Sequence, residues 1–518
     1  MAPQSFIRGA FVLSASAFVN RILGFISGMY LARTLGAEGI GLLMMAHPLV
    51  PLVITVTELG LPVAISKYVA EADTQGDAKR IQRILFVSVL VTGTLSLILT
   101  SFALIGSKWI ASLLLTDPRA YYAMLAITPI APIVAVSAVF KGYFRGKQRM
   151  TTIAVSDVLD NTLQLACVLA LVHLLMPYGV EYAAAGAMLA SVAGETAQLL
   201  FLSASYRIRR EKGVPRESYL ERARRGKRTL IELLRMGLPT TGHGLVSSLY
   251  GAFQPLLITS SLAMAGVGTA AATQQFGLLA GFAFPLLMLP SFVTHSLSTA
   301  LIPAISEAAA RRNGLLMHER MEQAMRIALL VGAPSTVVLY EWATPLTTLI
   351  YHAPEAGPLL KILAPLFFLH YFDAPLHAIL LGLGKANASM WNYVVSTAFK
   401  ALALFVLGSE FGIVGSAYGL GIGMIVLTAL NFMSISGTIG FYMEIRTYVK
   451  VGICMLVMAI SGRHLHEALL GAGLAPAAAA AFSIAGALAL YFAALSASDT
   501  VRFAHVRSLV KIIGIRPR

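Results

Sequence analysis

Charged side chains interrupt otherwise apolar stretches of this sequence, and they are the first candidates for chemistry. Arg21 is near the middle of the apolar stretch 10–33, and Arg33 is at its end. A guanidinium stays charged at any working pH and binds phosphate through two parallel hydrogen bonds. A charge inside a bilayer costs about 2.5–3.5 kcal/mol, so such residues are functional candidates by default. The pattern favours Arg21 as a ligand for an anionic group, and Arg33 either as a second ligand or as an interface anchor.

The stretch 40–62 carries His47 and Glu58, and Lys67 follows it. Glu58 is eleven positions after His47, which is about 1100° of helical rotation and places both on one face of a continuous helix. Glu58 would neutralise Arg21, bind a proton or Na⁺, or make a structural hydrogen bond between helices 1 and 2. Lys67 is the candidate to assist Arg21 where an anionic substrate enters from the cytoplasm.

The fifth apolar stretch, 151–176 (helix 5), carries a polar stripe formed by Asp157, Asp160, Asn161 and Gln164. Their i, i+3, i+4, i+7 spacing places them on one helix face. The stripe is either a cation-binding face or a solvated face at the cytoplasmic interface. Glu195, in the sixth stretch, 183–206 (helix 6), is a candidate neighbour of this stripe.

The tenth stretch, 358–382 (helix 10), carries a second polar face made of His370, Asp373 and His377. Lys400 is in the eleventh stretch, 388–408 (helix 11). A Lys–Asp pair across adjacent helices would satisfy both charges. The alternative is a proton relay through the histidines.

The elements that must hold these residues are fourteen apolar stretches, each about the 20 residues that cross a hydrocarbon core. Most of the 39 Lys and Arg residues fall in every second gap between the stretches. Because cytoplasmic loops are enriched in Lys and Arg, both termini are predicted to face the cytoplasm. The stretches are centred on 10–33, 40–62, 84–106, 119–140, 151–176, 183–206, 237–262, 273–302, 327–350, 358–382, 388–408, 412–437, 447–469 and 475–497.

Composition excludes several other classes of protein. The chain is 57% hydrophobic and only 12% charged, and its net charge of +15 resides in juxtamembrane loops, where lipid and topology explain it better than nucleic acid does. Cys167 and Cys454 are both within apolar stretches, so neither a disulfide framework nor a metal site is predicted. The outward gaps offer only scattered acids and no Walker-type phosphate loop is present, so we expect neither an enzyme nor direct drive by ATP.

Short motifs repeat at an offset of about 230–240 residues, which corresponds to six crossings. Leu61–Ser66 is echoed by Ile302–Ser306, and Gly146-Lys147 by Gly384-Lys385. An even number of crossings gives both halves one orientation, as in transporters built from parallel repeats related by a pseudo-twofold axis. The predicted organisation is an N-terminal lobe (1–206, helices 1–6), a basic cytoplasmic linker (207–235), a C-terminal lobe (236–440, helices 7–12), and helices 13 and 14 with a basic tail (441–518).

Several segments together resemble the stage V sporulation protein B family of the multidrug, oligosaccharidyl-lipid and polysaccharide flippase superfamily. They are Arg21–Ile26, Leu35–Gly41, Leu61–Lys67, Lys141–Gly146, Glu181–Ala187 and Ile302–Glu307. The resemblance implies an all-α, MATE-like transporter in a bacterial plasma membrane. It also implies a flippase that moves polyprenyl-diphosphate-linked sugars, such as the peptidoglycan precursor lipid II, from the inner to the outer leaflet by alternating access.

The chain also departs from that family. Helix 5 has Asp160 and Gln164 where a Glu and an Arg are expected, and helix 7 has Gln254 where relatives often carry a carboxylate. The expected partners are a lipid-linked oligosaccharide and membrane lipids. No cofactor is expected, and transport would be driven by the membrane potential or by H⁺ or Na⁺ coupling. The alternative within the superfamily is a cation-coupled multidrug exporter. Neither the particular sugar nor the oligomeric state follows from the sequence.

Overall fold

A computed structural model describes residues 6–209, 219–311, 313–440 and 445–498, and these residues form an all-helical protein. The predicted basic tail beyond residue 498 and part of the predicted linker lie outside the described residues. The helices are α1 (Phe6–Ala46), α2 (Leu49–Glu58), α3 (Leu61–Thr74), α4 (Ala78–Ile105), α5 (Ser107–Leu114), α6 (Ala120–Ile127), α7 (Ile130–Gly146), α8 (Met150–Leu175), α9 (Val180–Arg209), α10 (Tyr219–Met264), α11 (Thr269–Gly277), α12 (Phe284–Met288), α13 (Ser291–Ala310), α14 (Gly314–Glu341), α15 (Ala343–Tyr351), α16 (Gly357–Phe367), α17 (His370–Gly382), α18 (Ala386–Ile439), α19 (Ile445–Gly471) and α20 (Pro476–Ala497).

Helix boundaries follow local chemistry. The carboxylate of Asp77 accepts a hydrogen bond from the amide of Arg80 at 2.8 Å and caps α4, and Asn313 caps α14 in the same way at 3.0 Å. Such caps satisfy amides that have no partner inside the first helical turn. His47 and Pro48 separate α1 from α2. The expectation of one continuous helix carrying His47 and Glu58 is therefore wrong, and the rotation worked out for a shared face does not apply.

Twelve helical segments of the described chain are long and apolar enough to cross a membrane, so this is a multi-pass membrane protein. Two of the segments, Ala15–Glu58 and Ala386–Ile439, have 44 and 54 residues. A straight helix of 54 residues would be about 81 Å long, far more than a hydrocarbon core of about 30 Å. The predicted count of fourteen requires that each long segment supply two crossings, and it stays a prediction.

Gly412 divides α18 into two antiparallel halves. Its φ of 63° and ψ of −144° are outside the helical region and in a conformation that favours glycine. The halves then run back along each other: a methyl group on Gly419 would overlap the backbone of Leu404, and Asn392 donates to the side chain of Asn431 at 3.0 Å. The segment is a helical hairpin.

Helices α8 and α9 form an equivalent hairpin around Gly179, whose φ is 138°. The side chain of Gln198 donates to Asp157 at 2.9 Å, and that of Gln164 donates to Ser191 at 2.7 Å. The two hairpins turn 233 positions apart, which agrees with the offset of the sequence repeat.

Contacts divide the chain into two compact units, Met1–Gly277 and Leu278–Arg518. The first unit has a core of buried side chains from α3, α4, α7, α8, α9 and α10. The core of the second includes Trp342, whose indole donates to Ser483 at 2.8 Å and ties the end of α14 to α20. Helices α10 and α11 belong to the first compact unit, which ends at Gly277, whereas the predicted C-terminal lobe begins at residue 236. The division into functional lobes stays a prediction.

Candidate functional site

The predicted anion ligands of α1 are accessible side chains. Arg21 and Arg33 are both exposed on the surface of the protein, within an apolar helix. Lys67 is exposed on α3, 3.9 Å from a carboxylate oxygen of Glu71 and over the ring of Tyr68. Because these three cationic side chains are exposed, they could contact a ligand without a conformational change that exposes them.

A cavity of about 190 Å³ lies between α1, α8 and α9 within the first unit. Its wall includes His47, together with Asn161 and Gln164 from the predicted stripe. Gly24 and Gly28 contribute no side chain to it, and a methyl group on either would meet nothing within 4 Å. The cavity therefore has a few hydrogen-bonding groups within a mainly apolar lining.

The acidic half of the stripe gathers around Lys141 of α7. The ammonium of Lys141 is 3.0 Å from Oδ1 of Asp157, and the amide of Gln198 donates to the same oxygen. Asp160 and Glu195 are within electrostatic range of this lysine. We name the set of Glu58, Lys141, Asp157, Asp160, Glu195 and Gln198 the Lys141 cluster. Glu195 thus joins the stripe from the neighbouring helix, as the sequence indicated.

Glu58, at the end of α2, also belongs to this cluster. Its electrostatic neighbours are Lys141 and Glu195. The sequence offered Arg21, a proton or sodium ion, or a hydrogen bond between helices 1 and 2 as its role. The structure places it within electrostatic range of a lysine on α7, a proximity that helical spacing could not reveal.

The second unit holds the predicted Asp373 site. Oδ2 of Asp373 is 3.0 Å from Nδ1 of His370, and its Oδ1 accepts from Thr428 at 2.8 Å. Lys400 is within electrostatic range of Asp373. His377 contacts Ser389 at 2.6 Å instead of this carboxylate. The side chains that the sequence grouped on one face thus have different partners.

Sequence reasoning missed a polar network in the first unit that is centred on the loop before α6. Arg119 pairs with Glu38 at 2.5 Å and with Asp117 at 2.8 Å, and Thr273 donates to Asp117 at 2.9 Å. We name Glu38, Asp117, Arg119 and Thr273 the Asp117 network. The network ties the segment after Gly36 and the loop before α6 to the helix α11.

Only one carboxylate of the network is deeply buried: Asp117 is 2% exposed. Burial raises the pKa of the Asp117 carboxyl, but hydrogen bonds from Arg119 and Thr273 outweigh it and hold the pKa below its usual range. Hydrogen bonds to Asp117 and Glu38 raise the pKa of Arg119. The network is an ion pair held in its charged form. Its partners are up to 156 residues apart, so no local spacing announces it.

No group of three or more His, Cys, Asp or Glu side chains in the described part of the chain is arranged to hold a metal ion.

The fold defines the class: a multi-pass, all-helical membrane protein whose described helices resemble the fold of a MATE family transporter of known structure (TM-score 0.68, 18% identity, covering 81% of this chain and 94% of that one). The family model for polysaccharide biosynthesis proteins matches residues 6–309, and the MatE family model matches residues 279–406. The chain is 43% identical over 450 residues to stage V sporulation protein B of Bacillus subtilis (strain 168), covering 86% of this chain and 87% of that protein. It belongs to the polysaccharide biosynthesis protein family, as a relative of stage V sporulation protein B.

Two further similarities concern a transporter of named cargo. The lipid II flippase MurJ of Bacillus subtilis (strain 168) is 24% identical over 481 residues, which is 88% of this chain and 86% of that protein. A solved structure titled lipid II flippase MurJ, inward closed conformation, aligns with a TM-score of 0.73 at 15% identity, covering 95% of this chain and all of that one. The predicted family and fold class are thereby confirmed.

Proposed function

We propose that this protein is a flippase that moves polyprenyl-diphosphate-linked sugars from the inner to the outer leaflet of a bacterial plasma membrane. The observation that carries the proposal is the 43% identity to stage V sporulation protein B over most of both chains. The likeness to a lipid II flippase supplies the cargo class, a lipid-linked precursor of peptidoglycan or another polysaccharide. Both termini would be in the cytoplasm, and the protein would not act as an enzyme.

The physical obstacle to flipping such a lipid is its headgroup, because a diphosphate and hydrated sugars cannot cross hydrocarbon unaided. Arg21 is an exposed guanidinium on a membrane helix, where it would bind the diphosphate bidentately. Lys67 would attract the headgroup at the entrance, and Arg33 would be a second contact near the outer end of the first crossing. His47 and Glu58 would contribute polar contacts, and the polyprenyl tail would remain in the bilayer.

The membrane potential would drive the transfer. A diphosphate diester carries two negative charges. When the inside of the membrane is negative by 100 mV, moving both charges outward is favourable by about 4.6 kcal/mol. Alternating access therefore needs no further energy source to run outward. Coupling to H⁺ or Na⁺ would add to this drive.

The test is translocation of fluorescent lipid II in proteoliposomes with right-side-out protein and an imposed inside-negative potential. We expect outward movement that depends on the potential and is lost in Arg21→Ala. Arg21→Lys should recover part of the rate, because it keeps the charge but loses the bidentate geometry. The control is Arg463→Ala, an exposed cation paired with Glu467 outside the candidate site.

The result also separates the alternative function. A multidrug exporter would move cationic dyes and leave lipid II in place. The MatE family model matches only residues 279–406, whereas the polysaccharide biosynthesis model covers 6–309, so the flippase is favoured. Full lipid II transport by Arg21→Ala would overturn the role given to Arg21.

A further inference from the structure

The Lys141 cluster has more negative than positive charge. Its members come from α2, α7, α8 and α9: four carboxyl groups, on Glu58, Asp157, Asp160 and Glu195, and one ammonium, on Lys141. If every group were ionised, the cluster would carry three uncompensated negative charges beside apolar helices. Uncompensated charges at such a site are unfavourable because the protein interior solvates them poorly.

Two buried acceptor atoms of the cluster have no hydrogen-bond donor. Gln198 is fully buried, and its amide nitrogen donates to Asp157, but its Oε1 is buried without a hydrogen-bond partner. Oε2 of Glu195, three residues earlier on the same helix face, is likewise buried without a partner. Both atoms are acceptors. Buried acceptors are almost always satisfied, so a donor is missing at this place.

A bound proton would supply both the missing positive charge and the missing hydrogen-bond donor. A carboxylate that binds a proton loses its charge and becomes an O–H donor, able to satisfy a neighbouring acceptor. The carboxylates do not converge as the ligands of a metal ion do: no three acidic or histidine side chains among the described residues form such a group. Separate protons on individual carboxyls fit this geometry better than a single coordinated cation.

We propose that the Lys141 cluster is a proton-binding site that holds at least one proton at neutral pH, with Glu195 as the principal carrier. The charged groups that act on Glu195 are Lys141 from α7, Asp157 and Asp160 from α8, and Glu58 from α2. The use of this proton in transport rests on the proposed flippase function, but the binding of the proton does not.

Infrared difference spectroscopy of the purified full-length protein tests the binding without any substrate. The carbonyl stretch of protonated carboxyls is recorded between about pH 5 and about pH 9, well above the normal pKa of Glu at about 4.3. We expect a protonated-carboxyl band at neutral pH that is lost at the alkaline end. Glu195→Gln should remove one carboxyl's share of this band. The control is Glu355→Gln, an exposed acid in the turn before α16, which should leave the band unchanged.

Absence of the band in the folded wild-type protein at neutral pH would overturn the proposal, and so would a band that Glu195→Gln leaves unaltered. Asp160→Asn is the second variant, and it keeps the comparison usable if Glu195→Gln fails to fold. Loss of the band on adding Na⁺ at constant pH would identify a sodium site and overturn the proton site. The band is measured without lipid II, so failed transport would count against the proposed function and not against proton binding.

Discussion

Asp117 makes the sharpest energetic prediction, because one buried carboxylate holds together three separate parts of the chain. It accepts hydrogen bonds from the backbone amide, Nε and Nη2 of Arg119 and from the hydroxyl of Thr273, at 2.8–3.2 Å. Asp117→Asn keeps the size of the side chain but removes the charge and turns a donor toward Arg119. The variant therefore tests the ion pair and not the packing.

The expected loss of unfolding free energy is about 2 kcal/mol. Removing one partner of a buried ion pair costs about 3–5 kcal/mol, and hydrogen bonds to a charged group are worth about 1.5–3 kcal/mol. We take a value at the lower end because the side chain of Arg119 is 36% exposed and water can solvate it. The matched control is Glu467→Gln, which removes an exposed i,i+4 pair with Arg463 and should leave stability nearly unchanged.

The assay is equilibrium unfolding of the purified protein in mixed micelles, with the double mutant Asp117→Asn/Thr273→Val to isolate the coupling. The pKa of Asp117 is depressed, so its stabilisation is fully present above the unfolded pKa of about 3.9 and is lost as the pH falls through the lower folded pKa. The difference between wild type and Asp117→Asn should be constant near neutral pH and shrink only in strong acid. A difference below about 0.5 kcal/mol at neutral pH would refute the reasoning.

Two predictions concern packing within the helices. Gly419→Ala should destabilise the protein by about 2 kcal/mol or more in the same assay, because its methyl group would overlap the backbone of Leu404 in the α18 hairpin. The control is Gly437→Ala, at a position with open space around it. Equal stability of the two variants would contradict the hairpin. Trp342→Phe should cost about 2 kcal/mol, because it empties volume in the core and removes the donor to Ser483. Trp391→Phe, at a side chain that is 61% exposed, should be nearly neutral, and an equal loss in both would count against the core position of Trp342.

The sequence predicted the membrane helices well, because each span is a long apolar run that composition alone reveals. The predicted span 84–106 ends one residue after α4, and 475–497 nearly coincides with α20. Local breaks were harder. The reversal of α18 at Gly412 agrees with the predicted break between the stretches 388–408 and 412–437, although hydropathy does not single out this glycine, since the difference resides in φ and ψ. Pro48 indicates a bend in the stretch 40–62, but the rotation worked out for His47 and Glu58 assumed a continuous helix.

The candidate sites were predictable where their members share one helix or lie on helices that follow each other in the chain. The stripe from Asp157 to Gln164 follows from helical spacing, but its partners Lys141, Glu195 and Glu58 come from three other helices. The Asp117 network was missed entirely because Thr273 is 156 positions from Asp117. Periodicity orders residues around one axis, whereas contacts between helices depend on how the axes pack. One sequence without relatives contains no direct signal for that packing.

The two intramembrane charge sites differ in a way that separates their roles. The sequence repeat relates α7 and α8 of the first unit to α17 and α18 of the second. The first pair carries Lys141 on its earlier helix and Asp157 on its later one, whereas the second pair carries Asp373 on the earlier helix and Lys400 on the later. The sign of the charge on each helix is therefore exchanged between the repeats.

Their charge balance differs as well. The carboxylate of Asp373 has Lys400 in electrostatic range, and both its oxygens have hydrogen-bonding neighbours in His370 and Thr428. It therefore needs no added proton to be satisfied. The Lys141 cluster sets four carboxyls against one ammonium and leaves two buried acceptors without donors. Because a group that is already satisfied gains little from binding a proton, proton uptake is expected at the first site. For the pair in the second unit we expect the structural role, a link between α17 and α18, and not the proton relay.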